Sequence, residues 1–364
     1  MAIDIKENNM LDLTEYRRSL WKKPSLQHLF FELTDRCNLH CRHCGSSCTS
    51  YGSHYLPYEI IEKVLLSVAN RYDAKKIMVN LTGGEPLLYP NLFEAVETAH
   101  KSGFGVGMTS NCTLITPLAA RKLARSGLDT IAVSLDGIEQ VHEKFRNADG
   151  CYTAALFGIF ALKEAGIEPE VLTVVHKENF FQLEEMYELL RKMDIYSWRV
   201  INIEPIGRAA KDQGLLLDGE QLKQLFDFIQ QKRFDNSNPM EVTYGCSHFV
   251  TYKYERMIRD FYFMCGAGIT VGSVMANGDI GACLDIERRP ELIQGNAFHD
   301  DFVDIWENRF QPFRTDRSEQ CALCRECRHK TVCMGDSAHT WDFNAKQPVY
   351  CVAKMIRKEN KDEF

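Results

Sequence analysis

Two stretches of this chain crowd thiols more densely than core packing requires. "FELTDRCNLHCRHCGSSC", residues 31–48, sets Cys37, Cys41 and Cys44 with three and two residues between them, and Cys48 follows. "CALCRECRHKTVC", residues 321–333, holds Cys321, Cys324, Cys327 and Cys333, flanked by Cys265, Cys283 and Cys351. Thiols this dense form disulfides or bind metal. Three thiolates spaced as in the first stretch can hold three corners of a four-iron cubane, leaving one iron open to a substrate or cofactor. They equally suit zinc, with His40 or His43 as the fourth ligand. The second stretch suits a zinc ribbon or further clusters.

Composition narrows the setting. The 364 residues are 45% hydrophobic, enough for one large and one smaller core. No apolar run is long enough to span a bilayer. The N-terminus, "MAIDIKENNMLDLTEYRRSLWKK", is polar and lacks the apolar centre of a signal peptide. A cytoplasmic protein is expected, where thiols stay reduced, so fourteen cysteines point to metal or catalysis. The net charge of −7 gives no basic footprint for nucleic acid.

The elements that must position these cysteines alternate regularly. Strand-like runs at 28–34, 76–83, 104–110, 129–137, 168–176 and 197–207 are each followed by a helical pattern, at 58–72, 91–103, 117–127, 153–166, 183–193 and 218–233. Apolar strands alternating with amphipathic helices predict a parallel sheet. Six units fall short of the eight that close a TIM barrel, so an α/β fold is expected, a partial, laterally open (β/α)6 TIM-like barrel. Past residue 240 the helical pattern weakens and seven cysteines lie between 265 and 351, which predicts a small cysteine-rich α+β domain. The expected division is an N-terminal segment over 1–25, the barrel over 26–235 and the second domain over 240–364. The aromatic run "YKYERMIRDFYFM", 252–264, is expected to pack against that domain. Cys48, Cys112, Cys151 and Cys246 have no motif partner and are expected to be buried structural thiols.

The strand ends decide between cluster and zinc. "LTGGEPLL" puts Gly83, Gly84, Glu85 and Pro86 after the second strand, where glycines let a ligand approach the backbone and Glu85 offers acceptors to an ammonium group. Ser110 and Asn111 end the third strand, and "SLDG", with Ser134 and Asp136, ends the fourth. In a barrel these ends share one face with the first cysteine loop.

Together these residues resemble the radical S-adenosylmethionine (AdoMet) superfamily. "CNLHCRHC" is similar to its three-cysteine motif, with His43 where an aromatic usually stands, and "GGEP" to the motif that binds the AdoMet amino group. The resemblance implies that Cys37, Cys41 and Cys44 hold an AdoMet-binding [4Fe-4S] cluster. It places Ser134 and Asp136 at the ribose or carboxylate, Ser110 and Asn111 at a similar level, and Arg146, from "VHEKFRNADGCY", at a carboxylate. Gly45 departs from the pattern, since many relatives carry an aromatic there. The implied chemistry is reductive cleavage of AdoMet to methionine and a 5′-deoxyadenosyl radical, which takes a hydrogen atom from the substrate. A reductant such as flavodoxin or ferredoxin is implied as partner.

The C-terminal cysteines resemble the SPASM extension, which carries two auxiliary [4Fe-4S] clusters, and "EPIGRA" (204–209) is typical of the barrel before it. The resemblance implies one cluster on Cys324, Cys327, Cys333 and Cys351, and another on Cys265, Cys283 and Cys321. A narrower alternative gives both Cys321 and Cys324 to the latter. Ser337 stands where the pattern has a cysteine. Members with this extension mostly modify peptides or proteins, so the expected substrate is a peptide or protein side chain or backbone, with a haem precursor or other small molecule as the alternative. Only some 25 residues precede the barrel, too few for a leader-binding domain, so a peptide substrate is expected to need a separate recognition protein or the cluster domain itself. Asp285, two residues after Cys283, is the candidate catalytic base.

Overall fold

The computed structural model describes residues 2–235, 237 and 239–359. Ten strands form one sheet. Six make the expected barrel: β1 (His28–Glu32), β2 (Met78–Thr82), β3 (Gly105–Ser110), β4 (Thr130–Ser134), β5 (Pro169–Val175) and β6 (Ser197–Asn202). They pair in chain order and in parallel. Helices return between them: α2 (Tyr58–Arg71), α3 (Leu92–Lys101), α4 (Pro117–Ser126), α5 (Gln140–Arg146), α6 (Cys151–Glu164) and α7 (Leu183–Lys192), with α8 (Gly219–Arg233) after β6. Start and stop signals act where the sequence sets them. Thr116 caps α4 by accepting from Ala119 N, and Gly127 ends it in a left-handed conformation. Asp218 and Gln221 form a capping box on α8.

The sheet does not stop at residue 235. β7 (Glu241–Tyr244) adds in parallel beside β6, and β8 (Val271–Val274) in parallel beside β1. β9 (Asp279–Gly281) and β10 (Gly295–Asn296) continue that edge antiparallel. The change of texture at 240 therefore marks a change of residue chemistry, while backbone pairing runs across it at both edges. The barrel stays laterally open, and the C-terminal domain covers the opening. A two-residue hairpin, β11 (Trp341–Asp342) with β12 (Gln347–Pro348), completes that domain.

Two features lie outside the sequence expectation. The segment before the barrel is a helix, α1 (Ala2–Lys22), which packs against the C-terminal domain. The segment after β4 forms α5, which carries Arg146. In the aromatic run, Tyr254 and Phe263 are buried, as packing requires. No helix among the described residues is long and apolar enough to cross a membrane.

Candidate active site

The loop after β1 carries Cys37, Cys41 and Cys44 across the C-terminal ends of the strands. The next strand end holds it from below: Gly84 N donates to Thr34 O at 2.7 Å and Glu85 N to Arg36 O at 3.0 Å. Glycine is required by the approach of that loop. A Cβ on Gly84 would sit 2.1 Å from Arg36 O, and Gly83 has a φ of 146°. From the other side Arg208 donates Nε to Cys41 O at 2.6 Å and Nη1 to Cys48 O at 2.9 Å. Sequence reasoning passed over Arg208, although it lies inside "EPIGRA".

Polar hydrogens also reach the sulfurs. Leu39 N lies 3.4 Å from Cys37 Sγ, and Arg146 Nη1 lies 3.6 Å from Cys41 Sγ. Burial pushes Cys37 up to about 12 and also raises Cys41. A hydrogen bond from Cys48 brings Cys44 down to about 6. Burial alone keeps Cys37 and Cys41 protonated, while the donors aimed at their sulfurs would stabilise the thiolates once a metal replaces the protons, so these side chains fit a thiolate-ligated cluster. Among the described residues neither His40 nor His43 joins the cysteines in a zinc-sized ligand set. His40 is exposed, and His43 stacks on Phe145 at 4.4 Å, which stacks on His176 at 3.9 Å. Burial holds His43 well below its usual pKa, so the ring is neutral.

Above the loop a cavity of about 410 Å³ opens on the strand ends. Gly83, Gly84, Ser110, Asn111, Ser134 and Arg146 line it, with His43 and the three cysteines. Leu39, Leu172, Val174, Ile201, Ile203 and Ile206 make its apolar wall. Glu85, Pro86 and Asp136 do not reach it. Glu85 is fully buried and its carboxylate is committed within the chain. Oε1 accepts from Ser110 Oγ at 2.8 Å and Leu87 N at 3.2 Å, and Oε2 accepts from Asn111 N at 2.8 Å. Its geometry is that of a clamp between two strand ends. Asp136 is likewise fully buried. Oδ2 accepts from Arg146 Nε at 2.6 Å, and Oδ1 from Val174 N at 2.8 Å. It positions Arg146 and faces no ligand space, because burial favours pairing it with the nearest cation. Pro86 is buried at the start of a short 3-10 turn.

The far wall joins a residue at the end of β6 to the C-terminal domain and was not anticipated. Glu204, just after β6, receives His248 Nε2 at 2.8 Å and His339 Nε2 at 2.6 Å. His248 Nδ1 lies 2.9 Å from Asp336 Oδ2. Burial opposes charge throughout, yet the mutual attraction wins: Glu204 falls well below its usual range, and His248 rises to about 10 under Asp336 and Glu204. Three of these residues, at 204, 248 and 339, meet only through tertiary folding. Asp285 and Cys283 line the same cavity. Asp285 is solvent-accessible through it, while the enclosing protein raises its pKa. A second cavity of about 640 Å³ shares Gly45, Ile206, Asp285 and His339 with the first, and leads outward between Leu284–Arg289 and the β11–β12 hairpin.

The remaining cysteines form two neighbourhoods. Cys265 is buried, accepts from Ala338 N at 3.4 Å and lies within electrostatic range of Cys283. Cys324 and Cys333 lie within electrostatic range of each other and of both Cys327 and Cys351. Cys321 hydrogen-bonds Cys324, an arrangement that leaves both ligand assignments for Cys321 open. Ser337 is buried, and its Oγ has no partner among the described residues. Cys48, Cys112, Cys151 and Cys246 are buried.

Two family models match the chain: the Radical SAM superfamily over residues 31–190 and an iron-sulfur cluster-binding domain, SPASM, over 265–328. AdoMet-dependent heme synthase of Methanosarcina barkeri is 27% identical over 352 residues, covering 90% of this chain and 97% of that protein. Mycofactocin maturase MftC of Mycolicibacterium smegmatis is 29% identical over 314 residues, covering 84% of this chain and 76% of its own. The crystal structure of Streptococcus suis SuiB bound to S-adenosylmethionine has the same fold, with a TM-score of 0.75 at 18% identity, covering 91% of this chain and 78% of that one.

Proposed function

Because the chain belongs to the radical SAM superfamily and carries a C-terminal SPASM domain, we propose that it cleaves AdoMet reductively on the strand ends and removes a hydrogen from a peptide or protein substrate entering by the outer cavity. Cys37, Cys41 and Cys44 hold the AdoMet-binding cluster. When bound, the cluster supplies one-electron reduction and AdoMet the hydrogen-abstracting group. The Gly83–Gly84 backbone takes the amino group, while Ser110, Asn111, Ser134 and Arg146 orient the rest of AdoMet. The apolar wall keeps water from the reacting carbon. Asp285, at the junction of the cavities, is placed to accept a proton from the substrate. The C-terminal cysteines hold auxiliary clusters, and a flavodoxin- or ferredoxin-like carrier supplies the electron.

The state of the cations along the path carries the peptide reading. Arg146 is paired with Asp136 and taken by AdoMet, while Arg288 is paired with Glu32 and Arg289 with Glu291. Arg208 is committed to two carbonyls of the cysteine loop, and His339 to Glu204. A substrate bearing several carboxylates would meet no uncommitted guanidinium among the described lining residues, and burying unpaired carboxylates is costly. A peptide needs none, since shallow pockets and backbone contacts suffice.

A second reading, a haem-precursor tetrapyrrole, draws on the alignment that spans 97% of a heme synthase. One experiment separates them. The anaerobically reconstituted enzyme, with AdoMet and dithionite, is given peptides encoded beside its gene and, separately, iron-coproporphyrin. Loss of hydrogen from a peptide, seen by mass spectrometry, is the expected result. Conversion of the porphyrin alone would replace the peptide reading.

A further inference from the structure

α1 carries a cation into the C-terminal domain. Met10, Thr14, Arg17 and Leu20 recur at helical spacing and are buried. Along this face α1 packs against the short helices Thr251–Tyr254 and Lys330–Cys333. Arg17 is out of place there by ordinary packing rules. It is 2% exposed, and its Nε and Nη1 have no hydrogen-bond partner among the described residues. Its guanidinium lies over the Phe263 ring at 5.7 Å. A second buried guanidinium, Arg317, is near enough to repel it and has an unpartnered Nε of its own. The neighbouring carboxylate, Asp316, is paired with Arg18 at 3.6 Å. Burial and the Arg317 charge bring Arg17 down to about 10, so it remains a cation at neutral pH. An unpaired buried cation is strongly destabilising. Phe263 stands two residues before Cys265, and the helix under α1 ends at Cys333, so the groups that attract Arg17 are the sulfurs of Cys265 and Cys333 and, after them, the Asp316 carboxylate already shared with Arg18.

We propose that Arg17 is a positioning cation for the auxiliary iron–sulfur cluster held by Cys265, its free N–H groups donating to the sulfur of the cluster. This neutralises the buried charge, ties α1 to the C-terminal domain and sets the potential of the cluster. Each added electron makes a thiolate-bound cluster more anionic. A nearby cation and its N–H donors therefore stabilise the reduced state more than the oxidised one and raise the potential. The inference rests on reading Cys265 as a cluster ligand.

The test is a dithionite titration of the reconstituted full chain, followed by spin resonance. Auxiliary signals are recognised by their insensitivity to AdoMet. In Arg17→Gln, one auxiliary signal should move to lower potential, so that its reduced-to-oxidised ratio at the wild-type midpoint falls about tenfold, or about 59 mV for a one-electron couple. Arg17→Lys, which keeps the charge, should recover most of the shift, and the AdoMet-sensitive signal should stay in place. Failure of Arg17→Gln alone to load that cluster, with Arg17→Lys loading it, supports the same role. Unchanged potentials with full iron in Arg17→Gln, or equal defects in both variants, overturn the role of Arg17. A wild-type protein with no auxiliary signal overturns the cluster reading beneath it.

Discussion

Gly45 and Asp285 face each other where the two cavities join: a Cβ on Gly45 would lie 3.4 Å from Asp285 Oδ1. A larger side chain at Gly45 would enter the passage toward Asp285 and Ile206. Gly45→Trp is expected to cut substrate modification by at least about tenfold, roughly 1.4 kcal/mol of activation free energy. AdoMet cleavage in the absence of substrate should stay within about twofold of wild type. Parallel assays of 5′-deoxyadenosine and modified product measure both. Loss of the two activities together would place the passage elsewhere.

Gly84 is held by the cysteine loop, which changes what its substitution does. The sequence alone suggests that Gly84→Val blocks AdoMet and spares the cluster. The 2.1 Å approach of Arg36 O instead predicts that added carbons displace the Cys37 backbone. Gly84→Val should therefore load about four fewer irons than wild type after reconstitution, besides losing AdoMet binding. Full iron with selective loss of AdoMet would restore the simpler expectation.

Glu204 neutralises the buried imidazole of His248 and the partly buried one of His339. Glu204→Gln leaves His339 without its carboxylate and His248 with Asp336 alone, and should cost ~3–5 kcal/mol, a fall in thermal midpoint of roughly 4–7 °C. The pH dependence has a definite sign. His248 is raised from 6.5 to about 10, so its contribution is complete below pH 6.5 and lost as pH rises through 10. Glu204 is lowered from 4.5, so its contribution is present above pH 4.5 and lost in stronger acid. The advantage of wild type over the variant should be flat between about pH 4.5 and 6.5 and shrink toward 10. Thermal melts across that range show it, and an advantage growing with pH would contradict the charge assignment.

Cys321 and Ser337 compete to complete the auxiliary ligand sets. Cluster irons prefer sulfur, and Cys321 lies in the dense loop, hydrogen-bonded to Cys324. Cys321→Ala is expected to remove or alter one auxiliary spin-resonance signal, while Ser337→Ala leaves the iron count unchanged. The opposite pattern would assign the ligand to the Ser337 hydroxyl, which has no partner among the described residues.

The barrel was legible because each of its strands is a short apolar run bounded by a helix signal, a local pattern. The cysteine loop and "GGEP" were legible because their spacing is itself the signal. The direction of side chains was not. Glu85 and Asp136 read as ligand contacts from their place at strand ends, yet burial turns both inward onto Asn111, Ser110 and Arg146. α1 escaped notice because its buried face interleaves Thr14 and Arg17 with Met10 and Leu20, which blurs amphipathic periodicity. The Glu204–His248–His339 wall spans 135 positions of sequence (339 − 204) and exists only in three dimensions. Arg208 carried a trace of its role in "EPIGRA", without showing that it clamps the cysteine loop.

The central claim is that Cys37, Cys41 and Cys44 support reductive AdoMet cleavage beside separate auxiliary clusters. The direct measurement is iron content together with 5′-deoxyadenosine formation, in wild type and in the C37A/C41A/C44A variant, after anaerobic reconstitution. Wild type should hold about twelve irons per chain and form 5′-deoxyadenosine with dithionite. The variant should lose about four irons, keep the auxiliary absorbance and form none. A wild-type protein that takes up zinc and no iron, or a variant that still cleaves AdoMet, would contradict it.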